Sequence, residues 1–339
     1  MKRRIMTAGM LAMMLAMGMT GCGKSDTKTD EATKTEQTSE TDSNGEKKQS
    51  DNEANVMNDE QKKLYEEIKK AYNVEEEQKI ANALEEKKKS QDYTLSNMLI
   101  EYNPFGTNTQ SLYVYFKTDN AVKVSYTIHV DKDNIEDFSR DVYQQEEYQT
   151  EHEFQVIGLI PDTENTVTFY ITNKDGSTDT KEIVYDMGSL YGEEEVQLDT
   201  DVKQSADKLT DGLYVILGND NSSMDFMYYY DNNGVLRGEV PLLGYRSHRL
   251  IFDENSMYYS ISEKRLAQVN RLGQVTNVYN LVDYKLHHDY VFDENGNIGT
   301  PSISGGNSRI IATVAGAGVY YIPVLPGINL ENGVGFRFY

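Results

Sequence analysis

The C-terminal half of the sequence contains three histidines whose spacing suits a catalytic or ligand-binding site, His248, His287 and His288. Imidazole side chains act as general acids or bases, as nucleophiles and as metal ligands near neutral pH. A metal site would need a further ligand, and Asp289 is the adjacent carboxylate. Histidines also hold strands together through hydrogen bonds to backbone carbonyls. The residue types alone leave a catalytic and a structural role open.

The segment around these histidines repeats. His248 is followed by Phe252-Asp253-Glu254-Asn255, and His288 is followed by Phe292-Asp293-Glu294-Asn295, at an offset of 40 residues. A four-stranded unit of about 40 residues is the period of a β-propeller blade. Because equivalent positions of successive blades face one central axis, we expect the histidines of adjacent blades to converge near the mouth of the channel.

Two turn glycines give almost the same period. Gly234 and Gly273 each lie between strand-like runs, 39 residues apart, and His248 and His287 each follow one of them by 14 residues. The glycine spacing therefore pairs His248 with His287, whereas the repeated Phe-Asp-Glu-Asn run pairs it with His288. A one-residue insertion accounts for the difference, and both His287 and His288 remain candidates.

The composition excludes several classes of protein. The formal net charge is −22, which argues against binding to nucleic acid, because phosphate backbones are bound by basic surfaces. The chain has a single cysteine, so an intrachain disulfide framework and a cysteine-rich zinc or iron–sulfur site are excluded. A mean hydropathy of −0.64 excludes a polytopic membrane protein. The length of 339 residues predicts two or three domains.

The first 21 residues have the pattern of a secretion signal. The basic residues Lys2-Arg3-Arg4 precede an apolar run over 5–19, and Gly21 and Cys22 follow it. A run of this length suits a secretory signal and is short for a membrane span. The arrangement resembles the lipobox of bacterial lipoproteins, which implies a signal peptide over 1–21 and lipidation of Cys22. We therefore expect an extracytoplasmic protein anchored to the bacterial cell membrane at Cys22, with an ordinary signal peptide and a chance cysteine as the alternative.

Residues 22–57 are predicted to form a disordered tether. Between Gly23 and Glu53 the only apolar side chain is that of Ala32, and the other residues are polar, charged or glycine. Such a segment buries too little apolar surface to offset the entropy lost on ordering. It would hold the rest of the protein away from the membrane.

Residues 58–92 are predicted to be an amphipathic helical segment of one or two helices. Asn58 can cap the first turn, and Asp59 and Glu60 place negative charge there. Apolar residues recur near helical spacing at Leu64, Ile68, Tyr72, Ile80 and Leu84. The Glu and Lys blocks between them are expected to face solvent, with a partner-binding helix as the alternative.

Residues 93–190 are predicted to form a small antiparallel β-sandwich of immunoglobulin or fibronectin type. Strand-like, turn-bounded runs with a period of two support this fold. These runs cover residues 112–116, 122–128, 154–160, 167–171 and 183–185. The sequence Asn173-Lys174-Asp175-Gly176 is typical of a hairpin turn. His129 and His152 lie at the edges of these runs among acidic residues, which favours a surface position.

An acidic linker over 193–201 leads to residues 205–297, which are predicted to form a partial β-propeller of about two blades. The predicted fold class is therefore mainly β, with an N-terminal helix, a small Ig-like sandwich and a partial propeller. Residues 298–339 form an atypical C-terminal tail, in which only Arg309, Glu331 and Arg337 are charged.

Several motifs resemble those of the bacterial arylsulfate sulfotransferase family. In the predicted sandwich they are 103–109 (NPFGTNT), 124–130 and 158–161 (GLIP). In the predicted propeller they are 214–220 (YVILGND), 244–249 (GYRSHR) and 286–292 (LHHDYVF), the last followed by 295–297 (NGN). The resemblance runs from about residue 58 to residue 297. It implies the family's N-terminal domain and the first blades of its six-bladed propeller.

The resemblance also implies an activity. Members of the family transfer a sulfuryl group from a phenolic sulfate ester to a phenol through a sulfated histidine, without an adenylylated sulfate cofactor. It therefore implies a phenolic sulfate donor, a phenol acceptor and no cofactor. His248 and the pair His287 and His288 match sulfate-binding or acid–base positions of the family. Charge-assisted hydrogen bonds from cationic donors to sulfate oxygens suit that role.

The sequence departs from the family at the nucleophile. In the family, the histidine that accepts the sulfuryl group lies in a later blade, in a motif that contains Trp, His and Asn. This sequence has no Trp and no histidine after His288. We therefore expect a member of the family that is truncated and inactive alone. A lipid-anchored extracellular binding domain with a vestigial propeller is the alternative, and a fragment that completes its propeller with a second chain is another.

Overall fold

The structure is a computed structural model of the chain. It describes residues 57–192, 194–198, 212–218, 224–244, 246–281, 285–286, 289–293, 296–304, 307–313 and 319–322, with side chains as far as residue 299. The predicted signal peptide, the lipidation site Cys22, and His287 and His288 lie outside the described residues. So does the predicted tether, except for Met57.

Two helices begin the described part of the chain, α1 (Asp59–Ala71) and α2 (Val74–Ser90). Asn58 caps α1, as the sequence predicts, and Asn73 caps α2. The apolar face of α1 packs on the first two blade sheets. Helix α2 packs its apolar face against the sandwich and also contacts the second blade sheet. Within the described residues, no helix is both long and apolar enough to cross a membrane.

The sandwich contains six antiparallel strands. They are β1 (Leu99–Tyr102), β2 (Ser111–His129), β3 (Phe138–Asp141), β4 (Gln149–Ile157), β5 (Thr163–Asn173) and β6 (Thr178–Met187). Every strand-like run of the sequence lies in or overlaps one of them. The predicted hairpin turn joins β5 to β6, where the Gly176 amide donates to the Asn173 carbonyl oxygen at 3.0 Å.

The long strand β2 joins the two layers of the sandwich. Its first half pairs with β1 and β4, and its second half pairs with β3 and β5, with β6 beyond β5. The pairing with β4 shifts register between Lys117 and Val122. Inward side chains from both halves, such as Phe116 and Val124, share one core with Phe154 of β4. The two runs that the sequence shows as separate strands are therefore one bent strand.

Three antiparallel sheets of blade type follow the sandwich. The first contains β7 (Tyr214–Ile216), β8 (Asp225–Tyr230) and β9 (Leu236–Leu242). The second contains β10 (Leu250–Phe252), β11 (Ser256–Ser262), β12 (Arg265–Asn270) and β13 (Val275–Asn280). The third contains β14 (Lys285–Leu286), β15 (Val291–Phe292), β16 (Ile298–Ser304), β17 (Asn307–Thr313) and β18 (Val319–Ile322).

The sheets show the repeat found in the sequence. Gly234 turns the chain from β8 to β9 and Gly273 turns it from β12 to β13, with φ of 74° and 86°. In both turns the glycine amide donates to the carbonyl oxygen three residues earlier. Asp253 opens the turn from β10 to β11, and Asp293 opens the turn from β15 to β16, which follows the offset of 40. A positive φ of this size favours glycine, because glycine has no Cβ atom.

The predicted fold class is confirmed: mainly β, with an Ig-like domain followed by antiparallel sheets of a partial propeller. The backbone continues past residue 297 in the third sheet, because β16 pairs with both β15 and β17. The charge-poor composition of this stretch did not reveal that pairing.

Candidate functional site

The His248 segment lies just before β10, at the start of the second blade sheet. The backbone amide of His248 donates to Ser260 Oγ at 2.9 Å, and the amide of Ser247 donates to the carbonyl oxygen of Leu217 at 2.8 Å. Ser260 lies in β11 and is fully buried, whereas Leu217 follows β7. The main chain that carries the half-buried His248 side chain is therefore fixed by two neighbouring sheets.

Tyr290 connects this segment to the third sheet. Its ring is buried, and its hydroxyl accepts a hydrogen bond from the Ser260 amide at 2.9 Å and donates one to the carbonyl oxygen of Arg249. Burial raises the pKa of Tyr290, so the hydroxyl stays protonated and can donate. One side chain thus joins the residue after His248 to the chain that follows His288.

An ion pair connects the residue that follows His248 to the residue that follows His288. Arg249 Nη1 lies 2.7 Å from Asp289 Oδ1, and about half of each side chain is exposed. Each of these residues directly follows a predicted site histidine, His248 or His288. His287 and His288 lie outside the described residues, so convergence of the three imidazoles stays a prediction.

The chemistry of the His248 segment suits an oxyanion. Two guanidinium groups and an imidazole lie within four residues of the chain, those of Arg246, Arg249 and His248. Such donors form charge-assisted hydrogen bonds to sulfate or carboxylate oxygens. No set of three or more His, Cys, Asp or Glu in the described part of the chain could hold a metal ion.

The two other histidines lie in the sandwich. His129 is exposed, as expected, and its Nδ1 lies 2.7 Å from Asp137 Oδ1. His152 is buried in β4, contrary to the expectation of a surface position, and stacks on Phe116 with ring centroids 4.8 Å apart. Burial lowers the pKa of His152 to about 4, so the imidazole is neutral at pH 7. It acts as a packing residue.

A buried glutamate that sequence reasoning missed joins the sandwich to the first blade sheet. Glu239 of β9 accepts hydrogen bonds at 2.8 Å from Thr109 Oγ1 and from the amides of Tyr191 and Gly192. Burial raises the pKa of Glu239, and these three hydrogen bonds oppose the rise. No local pattern marks Glu239, because its partners lie far away in the sequence.

The family-like segment 103–109 also reaches the second blade sheet. Thr107 Oγ1 donates to the carbonyl oxygen of Gly273 at 2.5 Å. A Cβ atom at Gly273 would lie 2.9 Å from Thr107 Oγ1 and 2.8 Å from Gln155 Nε2, closer than such atoms pack. The segment therefore positions the blades on the sandwich, and does not contribute to the His248 segment itself.

These features define a class of protein: an Ig-like sandwich joined to blade-type sheets, with a histidine motif where two sheets meet. Comparison with family models is more specific. The model of the arylsulfotransferase Ig-like domain matches residues 99–188, and that of arylsulfotransferase (ASST) matches residues 198–302. Together these ranges cover more than half of the chain, which belongs to the arylsulfate sulfotransferase family. No curated protein matches it.

Proposed function

We propose that this protein binds aryl sulfates at the His248 segment and that the 339-residue chain alone does not transfer the sulfuryl group. Family membership supports the substrate class, a phenolic sulfate donor with a phenol acceptor. The observation that carries the proposal is the Arg249–Asp289 contact, which joins the flanks of both histidine motifs. His287 and His288 are proposed to complete the sulfate-binding or acid–base set.

The donors of the segment match the demands of sulfuryl transfer. A sulfate monoester carries its negative charge on three terminal oxygens, which accept hydrogen bonds from Arg249 and the imidazole of His248. When a nucleophile attacks the sulfur, the bond to the aryl oxygen breaks and a phenolate leaves. An imidazolium in this segment can protonate that phenolate. Fixed donors of this kind also stabilise the charge that develops in the transition state.

Transfer itself needs a nucleophile that this chain does not supply. The family forms a sulfated histidine in a motif with Trp, and the sequence has no Trp and no histidine after His288. His129 and His152 belong to the sandwich and have the separate contacts described above. Binding without turnover is therefore the proposed behaviour of the chain alone.

We expect no release of 4-nitrophenol above the protein-free rate when the purified protein is mixed with 4-nitrophenyl sulfate and a phenol acceptor. Titration calorimetry with 4-nitrophenyl sulfate should nevertheless show binding, and His248→Ala should weaken it about tenfold, since a charge-assisted hydrogen bond is lost. His129→Ala, which removes an exposed histidine of the sandwich, is the matched control and should bind like the unmodified protein.

Any of three results contradicts this proposal. Release of 4-nitrophenol that disappears in His248→Ala would show that the chain catalyses transfer alone. Equal binding by the unmodified protein and by His248→Ala would show that the sulfate does not bind at the His248 segment. A complete absence of aryl sulfate binding would favour the alternative of an interaction domain.

We also propose that Cys22 carries a lipid that anchors the protein to the bacterial cell membrane. The basic, apolar and small-residue pattern before Cys22 supports this. Cys22→Ser is expected to move the protein from the membrane fraction to the soluble fraction of expressing cells, because two or more acyl chains anchor far more firmly than polar contacts. Fractionation with immunoblotting measures the shift, with Ser39→Ala as control. An unchanged membrane fraction in Cys22→Ser would refute the anchor.

A further inference from the structure

The strand ladder between β10 and β11 ends next to the candidate site. Its last pair is Leu250 opposite Tyr259. The same register places Arg249 opposite Ser260 as the next pair. Hydrogen-bonded pairs alternate along an antiparallel ladder, and the amide of Asp253 begins this one with a bond across the turn. Two steps of two residues lead from there to Arg249, so its carbonyl oxygen would accept directly from the Ser260 amide if the ladder continued.

The Tyr290 hydroxyl lies between these two backbone groups. It accepts from the Ser260 amide at 2.9 Å and donates to the carbonyl oxygen of Arg249. It therefore takes the place of the direct hydrogen bond that would extend the ladder. Both backbone groups are satisfied, and β10 begins only at Leu250, so the chain before it does not pair with β11.

The Tyr290 ring is held in a packed core. It is 1% exposed and belongs to one apolar cluster with Ile251 of β10, Leu266 of β12 and Leu286 of β14. This cluster joins the second and third sheets. Because side chains in a close-packed core have little room to move, the ring keeps its hydroxyl between Arg249 and β11.

The chain that leaves the ladder is the one that carries the candidate ligand-binding groups. The His248 amide donates to Ser260 Oγ at 2.9 Å, and Ser247 Oγ lies 3.2 Å from the same atom. Ser247 Oγ also donates to the carbonyl oxygen of Arg249 at 3.3 Å. Both serines are buried. With the Tyr290 hydroxyl, they form a set of three buried hydroxyl groups that hold the backbone of His248 and Arg249.

We propose that Tyr290 is a positioning residue of the aryl sulfate site, because its hydroxyl sets the path of the backbone that carries His248 and Arg249. This inference rests on the proposed function, in which those two side chains bind the sulfate oxygens. Donors that are already fixed bind more tightly, since less conformational freedom is lost on binding. Tyr290 belongs to the chain of the third sheet, so sulfate binding beside the second sheet depends on the packing of the third.

Tyr290→Phe in the full chain tests this role, because it removes the hydroxyl and keeps the ring. We expect titration calorimetry to show about tenfold weaker binding of 4-nitrophenyl sulfate, since the Ser260 amide and the Arg249 carbonyl oxygen lose their shared partner. Hydrogen–deuterium exchange should become faster at residues 246–250 and at Ser260, and stay unchanged in the sandwich. Loss of a merely structural contact would instead speed exchange throughout the blade sheets.

Tyr279→Phe is the matched control. Tyr279 belongs to the same apolar cluster as Tyr290, and its hydroxyl donates to Gln268 Oε1 at 2.8 Å, away from the His248 segment. This variant also loses one hydroxyl from the same core. It should bind 4-nitrophenyl sulfate like the unmodified protein and leave exchange at residues 246–250 unchanged. Circular dichroism and urea unfolding check that both variants keep the fold.

The inference is overturned if Tyr290→Phe binds 4-nitrophenyl sulfate as tightly as the unmodified protein, or if exchange at residues 246–250 does not change. Equal weakening by Tyr279→Phe, or loss of the fold in Tyr290→Phe, would also overturn it, because Tyr290 would then serve stability alone. If the unmodified protein binds no aryl sulfate, the proposed function fails. Faster local exchange in Tyr290→Phe would still support the hold of Tyr290 on the His248 segment in that case.

Discussion

Glu77→Gln (E77Q) is expected to stabilise the protein by about 4 kcal/mol above pH 8 and to leave its stability unchanged near pH 4. Glu77 is fully buried where α2 packs on the second blade sheet, and its Oε2 accepts the amide of Val275 at 2.9 Å. Its Oε1 has no hydrogen-bond partner among the described residues. Burial raises the pKa of Glu77 to about 8, and the single hydrogen bond opposes the rise.

The sign of the pH dependence follows from proton binding. Between pH 4.5 and about 8 the folded protein keeps the Glu77 proton, whereas the unfolded chain has released it. Stability therefore falls as the pH rises through this window, and above it the folded protein carries a buried carboxylate. Glutamine has the shape of the protonated acid and cannot ionise. Burial raises the pKa values of neighbouring Tyr72 and Tyr259 above 10, so both stay neutral in the window.

Urea unfolding at several pH values from 4 to 9 measures the effect as the difference between E77Q and the unmodified protein. Glu86→Gln is the matched control, because Glu86 lies on the exposed face of the same helix and pairs with Lys89 at 3.0 Å. Its difference should stay below about 1 kcal/mol at every pH. Parallel stability curves for E77Q and the unmodified protein, or lower stability of E77Q at pH 8, would contradict the assignment.

Local patterns predicted four of the six strands of the sandwich. Alternation over 122–128 and 167–171 marks inward and outward faces, because successive side chains in a strand point to opposite sides. The turns at Gly176, Gly234 and Gly273 were also predictable, since a positive φ favours glycine. The short strands β1 and β3 were not predicted, because pairing with β2 stabilises them and their own patterns are weak.

Buried charges could not be predicted, because their partners lie far along the chain. Glu77 belongs to a Glu-rich block that the sequence assigns to solvent, yet it binds the amide of Val275, 198 residues later. Glu239 is bound by the amides of Tyr191 and Gly192. Packing between helices and sheets decides which member of a charged block is buried, and the local sequence pattern does not reveal that packing.

The candidate site was only partly predictable. The repeat located His248 and related it to the segment of His288. The Arg249–Asp289 ion pair came from the structure, although opposite charges at positions 40 residues apart were visible in the sequence. Equivalent positions of adjacent repeats lie near each other, so charge of opposite sign at such positions is a usable signal.

Arg237, a member of a buried ion pair, connects the first blade sheet to the sandwich. Arg237 of β9 is 1% exposed, and its Nε lies 2.8 Å from Asp231 Oδ2. Its Nη2 donates to the carbonyl oxygen of Glu136 at 2.9 Å, and the guanidinium lies 4.6 Å from the centroid of the Phe138 ring. Burial lowers the pKa of Arg237, and the charge of Asp231 opposes this. One side chain therefore satisfies groups of both domains.

Arg237→Met is expected to lower the free energy of unfolding by about 3 to 5 kcal/mol, because Asp231 keeps a buried charge without its partner. Adding Asp231→Asn should recover part of the loss, since the neutral amide can still accept the turn amides that Asp231 Oδ1 accepts. Urea unfolding followed by tyrosine fluorescence measures both. Lys285→Met breaks the exposed pair with Glu263 and should cost less than about 1 kcal/mol. An equally small loss for Arg237→Met would mean that the buried pair of Arg237 and Asp231 does not contribute measurably to the stability of the protein.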